Sequence, residues 1–165
     1  MPNPFEEIMS SLDPRMVVVT TAVERERGGC LVGFHVQSSI APARYAFWLS
    51  KANHTYRVGL RATHFGIHFL TVDDLPLAEL FGTKSGDTTD KFRDLPVGSG
   101  PGGVPVLTRC QHRLVVRRIA QLDEGGDHVC ITTEPVEVHS SGRFEPLLLS
   151  HVSHLEPGHR ADEHP

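Results

Sequence analysis

The apolar positions at the start of the chain have the spacing of a helix. Residues three and four positions apart share one face, and that face is formed by Phe5, Ile8, Met9 and Leu12. Asn3 suits the N-cap, Pro4 suits the first helical position, and Glu6 can complete a capping box. Because a proline disfavours a helical residue before it, this helix is expected to end near Asp13, which precedes Pro14.

After residue 15 the pattern changes to short segments rich in β-branched and aromatic residues, which is typical of β-strands. The seven predicted strands are residues 16–23, 30–37, 44–50, 65–72, 112–122, 128–138 and 146–155. Turn-forming residues separate most of them. Residues 25–29 predict a turn between the first two strands, and the glycine-rich residues 123–127 predict a hairpin between the fifth and the sixth.

Two further helices interrupt the strands. Asn53 is placed to cap one of them, and Asp74 is placed to cap the other, which has Pro76 in its first turn and Gly82 at its C-terminal end. Many strands with few, short helices predict a mainly β fold, a closed antiparallel barrel with helices packed around it. Residues 1–155 are expected to form this single domain, and the polar residues 156–165 a loose tail.

Length and charge narrow the class of protein. A chain of 165 residues suits one domain, and a formal net charge of -4 offers no surface for a nucleic-acid backbone. No apolar run reaches the roughly 20 residues needed to cross a bilayer, and the acidic first residues lack the pattern of a secretory signal. The three cysteines form no CxxC pair, which favours reduced thiols. A cytoplasmic protein that binds neither nucleic acid nor membrane is therefore expected.

Residues 80–95 contain a stretch of polar and turn-forming residues that a barrel does not require. Gly82 and Gly86 would let backbone amides turn toward an anion, while Lys84 and Lys91 would add positive charge for a phosphate. The same composition suits a solvated loop whose lysines are balanced by nearby aspartates. From this stretch alone, both interpretations stay open.

Two predicted strands end in polar residues where a buried strand would have stayed apolar. The first has Ser38 and Ser39, and the second has Lys51, Asn53, His54 and Thr55. A helix N-terminus with free N–H groups, a lysine and a hydroxyl can hold a phosphate. Each cluster alone also fits an ordinary turn. Together with the glycine-rich loop, the two clusters predict a polar rim on one side of the barrel.

His128 begins a strand directly after a glycine turn, so its imidazole is expected at the barrel edge, where it can hydrogen-bond a redox cofactor or a substrate. The neighbouring Asp127 serves equally well to close the hairpin. There are 11 histidines, but no Cys/His set has the spacing of a structural zinc site, so no metal is predicted. No GxSxG lies on a strand-to-helix turn and no GxGxxG follows the first strand, which argues against a serine hydrolase and a Rossmann domain.

Five motifs follow one another between residues 16 and 138: VVVTT, GFHVQSSIAP, LSKANHTYR, LAELFGTKSGDTTDKF and GGDHV. Together they resemble the flavin reductase-like family, whose members adopt the FMN-binding split barrel. The resemblance implies a mainly β split barrel and an oxidoreductase that transfers hydride from NADH or NADPH to FMN. It also implies a homodimer with flavin near the subunit interface. The reduced flavin would go to a partner monooxygenase, or its electrons to an organic substrate.

The resemblance further implies roles for particular residues. The flavin phosphate would be held by Ser38, Ser39, Lys51, Asn53, His54 and Thr55. The flavin ring would lie against His35, Val36 and Gln37. The loop that closes over the cofactor would contribute Ser85, Lys91 and Phe92. The imidazole of His128 would approach the nicotinamide or the flavin ring as the catalytic group.

Three alternatives stay open from the sequence. His35 and Gln37 leave room for altered ring recognition, so the first alternative is a split barrel that uses FAD or a deazaflavin of the F420 type. The second is a flavin-binding protein without catalysis or access for nicotinamide. The third is a metal-dependent protein based on the C-terminal histidines. A flavin supplies its own hydride chemistry, so a site without a strong acid, base or nucleophile fits the flavoenzyme.

Overall fold

The computed structural model describes residue 1 and residues 3–87 and 89–154. The strands in this part of the chain are β1 Val17–Val23, β2 Glu26–Val32, β3 His35–Ser39, β4 Arg44–Ser50, β5 His64–Phe69, β6 Val97–Ser99, β7 Pro105–Leu107, β8 Arg113–Leu122 and β9 His128–His139. The helices are α1 Pro4–Ser11, α2 His54–Gly59, α3 Leu75–Thr83 and α4 Leu149–Val152, with single 3-10 turns at Val72–Asp74 and Pro101–Gly103.

Seven strands form one antiparallel sheet in the order β2-β1-β5-β8-β9-β4-β3, and β6 pairs with β7. β2 and β3 are the two edges of this sheet, although only Gly33 and Phe34 separate them in the chain. The sheet must therefore curl into a half-barrel that brings its edges together. At this junction the Trp48 amide donates a hydrogen bond of 2.9 Å to the Phe34 carbonyl.

The predicted mainly β architecture is confirmed, with three corrections. The strand predicted at residues 30–37 is two strands, because Gly33 and Phe34 break the pairing. Residues 146–154 do not form a strand: they make isolated bridges, and Leu147 packs in the core while Leu149–Val152 turns into a helix. The last residue of that prediction lies outside the described residues. The barrel predicted to be closed is open, since β2 and β3 are not paired in the described part of the chain.

The connection between β1 and β2 is also shorter than predicted. It consists of Glu24, which has a positive φ of 55°, and Arg25, so β2 already contains the glycines that were expected to form the turn. Gly29 lies in the strand because two aromatic rings pack directly against its backbone. An added Cβ would stand 2.6 Å from the Phe81 ring and 2.9 Å from the Phe92 ring.

The predicted helix caps make their hydrogen bonds at two of three positions. Asn3 and Glu6 form a reciprocal capping box, and Asn53 Oδ1 accepts a 2.9 Å hydrogen bond from the Thr55 amide. Asp74 is the N-cap residue of α3 as predicted, but its carboxylate makes no capping hydrogen bond: it accepts from the amide and hydroxyl of Thr71 and so stabilises the preceding 3-10 turn. The helix also continues past its predicted end at Gly82 to Thr83, since Leu77, Ala78 and Phe81 are buried along it.

Apolar residues pack on both faces of the curled sheet. Inside the curl, a core is formed by members of β1, β2, β4, β5, β8 and β9, among them Phe47, Leu49 and Phe65. A second core lies between β1 and α3, and it includes Leu77, Phe81 and Phe92 together with Leu147 and Val152 of the C-terminal segment. The second core therefore fixes α3, the loop after it and α4 against one side of the sheet.

Gly29→Ala is expected to lower the free energy of unfolding by about 2 kcal/mol, because an added methyl group overpacks the Phe81 and Phe92 rings. Urea denaturation measures the change. Gly126→Ala is the matched control, since a Cβ at Gly126 would have no atom within 4 Å. Equal stability of the two variants would show that the rings yield and that Gly29 is not required for packing.

Candidate active site

One cleft is lined by residues of β2, β4, α3 and α4, and its volume is about 450 Å³. We call it the apolar cleft. Its lining includes Pro14, Met16, Cys30, Leu31, Gly33, Phe34, Trp48, Ser50, Asn53, Phe81, Lys84, His128, Leu149 and Val152. A largely apolar cleft of this size with a few polar groups is the usual form of a small-molecule site.

The strand alternation of β4 divides its side chains between the core and the apolar cleft. Phe47 and Leu49 are completely buried in the core, whereas Trp48 and Ser50, at the alternate positions, line the cleft. Phe34, in the junction between the two sheet edges, adds a second aromatic ring that is 58% exposed. The cleft thus presents two aromatic side chains to a flat ligand.

His128 lies in this cleft with its ring held from two sides. Its Nδ1 donates a 2.7 Å hydrogen bond to the Asp127 carboxylate, which lowers the pKa of Asp127 below its usual value. The imidazole packs against the Phe34 ring at a centroid distance of 5.0 Å. Because Nδ1 is used, the other ring nitrogen, Nε2, is the one available to a ligand, and it has no hydrogen-bond partner among the described residues.

Polar side chains gather at the part of the cleft formed by the start of α2 and the end of α3. Ser50, Asn53 and Lys84 line the cleft there. Asn53 caps α2, and Ser50 Oγ accepts a 3.3 Å hydrogen bond from the Ala52 amide. The hydroxyl of Thr55 is fully buried behind them and has no hydrogen-bond partner in the described part of the chain. We call Ser50, Asn53 and Lys84 the polar end of the apolar cleft.

A second cleft of about 390 Å³, the polar cleft, lies along the first half of β2. His54, Lys91 and Phe92 line it with arginines and aspartates. The charges are paired: His54 Nδ1 lies 3.1 Å from Asp87 Oδ1, and Arg27 pairs with Asp90 at 3.4 Å. The Arg27 guanidinium also stacks on the Phe92 ring, 4.9 Å from its centroid. These pairs tie the loop after α3 to β2 and α2.

Lys91 occupies an unusual position for a lysine, since it is only 5% exposed. Its ammonium donates hydrogen bonds to the carbonyls of Gly29, at 2.8 Å, and Phe81, at 3.3 Å. Burial lowers the pKa of this lysine from its usual value. In this arrangement the ammonium fastens the loop to β2 and α3.

The other predicted loop and strand-end residues lie outside the apolar cleft. Lys51 Nζ donates a 2.9 Å hydrogen bond to Asp123 in the β8–β9 turn. Ser85 Oγ accepts from the Asp87 amide at 3.2 Å and so shapes the loop. Ser38 and Ser39 follow a register shift in β3, and the Ser39 carbonyl accepts from Gln37 Nε2 at 3.2 Å.

A third cleft, of about 230 Å³, contains the residues predicted to contact the ring. His35, Val36 and Gln37 line it with Tyr45 and Phe69. His35 is held between the Tyr45 hydroxyl and the Arg15 carbonyl, both at 2.5 Å, and burial lowers its pKa while raising that of Tyr45 to about 12. The structure therefore places these residues and His128 in different clefts.

Of the predicted site residues, the apolar cleft brings together His128 and Asn53, and the polar cleft brings together His54, Lys91 and Phe92. Sequence reasoning missed Phe34, Trp48 and Ser50. Strand alternation is the signal for Trp48 and Ser50: their neighbours on β4, Phe47 and Leu49, are buried in the core, so these two side chains must point to the opposite face. Phe34 could not be found in this way, since residues 30–37 have the sequence pattern of one continuous strand.

No group of three or more His, Cys, Asp or Glu side chains in the described residues has the arrangement of a metal site. No helix of the described residues is long and apolar enough to span a membrane.

Comparison with known sequences gives one family. The sequence model of the flavin reductase-like domain matches residues 9–158. The FMN reductase (NADH) SmoA of Agrobacterium fabrum strain C58 is 29% identical over 147 residues, which cover 88% of this chain and 80% of that protein.

Solved structures show the same fold at lower identity. A flavin reductase domain protein from Arthrobacter sp. FB24 has a TM-score of 0.78 and 22% identity, with 87% of both chains covered. The flavin reductase HpaC, solved in complex with NADP+, has a TM-score of 0.75 and 23% identity, with 86% of this chain and 91% of that chain covered. The half-barrel of this chain is therefore a fold that these solved proteins share.

Proposed function

Because the chain belongs to the flavin reductase-like domain family, we propose that it is an NADH-dependent flavin reductase that binds FMN in the apolar cleft. The observation that carries this proposal is that one cleft combines aromatic side chains, a histidine nitrogen without a partner and a polar end. The similarity to an FMN reductase that uses NADH supports the choice of flavin and of electron donor.

The residues present fit a flavin. A flat ring needs an apolar slot, which Trp48, Phe34 and Leu31 provide. A phosphate needs a cation and hydrogen-bond donors, which Lys84, Ser50 and Asn53 provide at the polar end. When bound, the flavin supplies the redox chemistry, so the protein itself needs neither a strong base nor a nucleophile.

The chain's own residues then have distinct roles. The Asp127 carboxylate holds His128 in one tautomer, so that Nε2 faces a ligand in the cleft. His128 would orient the nicotinamide against the flavin, because hydride transfer requires donor and acceptor at about 3–3.5 Å. Trp48 and Phe34 would exclude water from this contact. Lys91 would hold the loop that forms the outer border of the site.

The other predicted contacts stay part of the proposal in a supporting role. His54 and Thr55 directly follow Asn53 in α2, and Phe92 packs against Phe81, which lines the apolar cleft. Lys51, Ser38, Ser39 and Ser85 would act from the surrounding strand ends and the loop. His35, Val36 and Gln37 would contact a flavin only if it extended into the third cleft.

A homodimer, a cytoplasmic location and a partner monooxygenase also remain proposals. The apolar face of α1 is exposed, with Phe5 at 69% and Ile8 at 59%, which supports burial against a second copy. The three cysteines are free, and Cys30 and Cys110 are buried, which supports a reducing compartment.

Lys84→Ala is expected to raise the Kd for FMN about tenfold, because a charge-assisted contact with the phosphate would be lost. The Kd for riboflavin, which has no phosphate, should stay unchanged. Lys51→Ala is the matched control for loss of one positive charge, and it should have the smaller effect since its ammonium is engaged by Asp123. Equilibrium dialysis measures each Kd. An unchanged Kd for FMN in both variants would contradict the proposed phosphate position.

The proposed activity is tested by adding NADH to the FMN-loaded protein without oxygen. Loss of the visible absorbance of the oxidised flavin, at a rate far above that of free FMN, is the expected result. FMN binding without bleaching would show a flavin-binding protein without reductase activity.

A further inference from the structure

The C-terminal segment, residues 147–152, is bonded directly to the chain that leads into β1. The Met16 amide donates to the Leu147 carbonyl at 2.8 Å, and the Leu149 amide donates to the Pro14 carbonyl at 2.9 Å. Leu147 also donates to the Leu70 carbonyl at 2.8 Å. The segment is therefore held by backbone hydrogen bonds on both of its sides before α4 begins.

Asp13 adds a side-chain latch to this backbone contact. One carboxylate oxygen accepts from the Ser150 amide at 2.9 Å, and the other accepts from the Ser150 hydroxyl at 2.6 Å. These two bonds span 137 positions in the sequence. They hold Ser150, in the first turn of α4, against Asp13, which lies between α1 and β1.

The side chains on either side of Ser150 reach the apolar cleft. Leu149 lines it while remaining 40% exposed, and Val152 lines it while being 4% exposed. Pro14, next to the latch, lines the same cleft. The cleft that contains Trp48 and His128 therefore has a wall that comes from the C-terminal segment and not from the half-barrel.

We propose that residues 147–152 form the wall that packs on the ring of the bound ligand, with Leu149 as a contact residue and Asp13 as the positioning residue that holds it in place. The inference rests on the proposed function in so far as the ligand is a flavin. Leu149 would then contribute to ligand affinity through the ring alone, independently of the phosphate contacts at the polar end. The wall would select for flat, fused-ring ligands, because Leu149 faces the same cleft as Trp48.

The test uses the fluorescence of Trp48, which is the only tryptophan and lines the cleft, so it reports ring binding without turnover. Leu149→Ala should raise the Kd for FMN and for riboflavin by the same factor, about tenfold, as expected when a leucine side chain is truncated at a ring contact. Leu60→Ala is the matched control, since Leu60 is 42% exposed and lies outside the cleft.

The latch is tested by two substitutions at one position. Asp13→Ala removes both bonds to Ser150 and should raise both Kd values about fivefold, whereas Asp13→Asn keeps an acceptor for the Ser150 amide and should restore most of the affinity. Far-UV circular dichroism confirms that each variant is folded. A general loss of structure would not weaken binding in Asp13→Ala and leave it nearly intact in Asp13→Asn.

The outcomes separate the wall from the proposed function. Affinities in Leu149→Ala within twofold of the unmodified protein would overturn the wall while leaving the reductase intact. If FMN fails to quench Trp48, the proposed position of FMN in the apolar cleft fails, and the wall is then judged with lumichrome, the bare ring system. A tenfold loss of lumichrome affinity in Leu149→Ala would support the wall, and no change or no binding would overturn it.

Discussion

Replacement of His128 by alanine is expected to lower kcat/KM for NADH oxidation about 100-fold, which is the usual cost of removing one pre-oriented hydrogen-bonding group from an active site. The imidazole is oriented in advance, since Asp127 holds Nδ1 and Phe34 packs on the ring. Its loss would therefore remove an interaction that needs no rearrangement on binding. Steady-state kinetics at saturating FMN measure the change.

FMN affinity should be preserved in this variant, because Trp48, Leu31 and the polar end supply the ring and phosphate contacts. His139→Ala is the control, since it removes an exposed histidine from the other end of the same strand, β9. A fall in FMN affinity equal to the fall in kcat/KM would make His128 a structural residue of the cleft. Unchanged kinetics would remove it from the mechanism.

The second large effect is expected on stability at low pH, and it comes from His68. This imidazole is 1% exposed and bridges three strands: Nδ1 donates to the Val18 carbonyl at 3.1 Å, and Nε2 accepts from the Leu107 amide at 3.0 Å. The bond from Leu107 requires the neutral ring, since a proton on Nε2 would face the amide proton of Leu107. Burial lowers the pKa of His68 from 6.5 to about 4.

The direction in which pH changes the free energy of unfolding follows from proton binding. Between pH 6.5 and about 4 the unfolded chain binds a proton at His68 that the folded chain does not, so the free energy of unfolding falls as the pH falls through this range. The full loss from this residue is about 3 kcal/mol, at up to about 1.4 kcal/mol per pH unit. Burial also lowers the pKa of His35, so both histidines act in the same direction.

His68→Gln separates the titration of His68 from its hydrogen bonds, because glutamine can donate to Val18 and accept from Leu107 without titrating. Urea denaturation at pH 7 and pH 5 should show a much smaller difference in this variant than in the unmodified protein. The carboxylates with lowered pKa, such as Asp87, lose their contribution only at still lower pH. An equal pH dependence in both proteins would contradict the assignment to His68.

The fold could be predicted from the sequence where local signals and tertiary packing agree. The capping box of Asn3 and Glu6, the β-branched run of β1 and the glycine-rich hairpin between β8 and β9 are all as predicted. The prediction failed where packing overrides local preference. Gly29 looks like a turn residue but lies in a strand beneath two rings, and Leu147–Leu149 looks like a strand but packs on the second core and the start of β1.

The site could be predicted only in part, for the same reason. His128 and Asn53 are marked by their positions at strand and helix starts, and both line the apolar cleft. Lys91 has the positive charge expected of a phosphate-binding residue, yet in the structure its ammonium donates hydrogen bonds to two backbone carbonyls. Strand alternation points Trp48 away from the core, but it does not show that Trp48 and Leu149, which are distant in the sequence, line one cleft after folding.

The central claim, that a flavin ring lies in the apolar cleft, is tested most directly by titrating the protein with FMN while recording the fluorescence of Trp48. The structure predicts saturable quenching, with one FMN bound per chain and with the same Kd that equilibrium dialysis gives. FMN binding by dialysis that leaves Trp48 fluorescence unchanged would place the flavin outside this cleft and contradict the account.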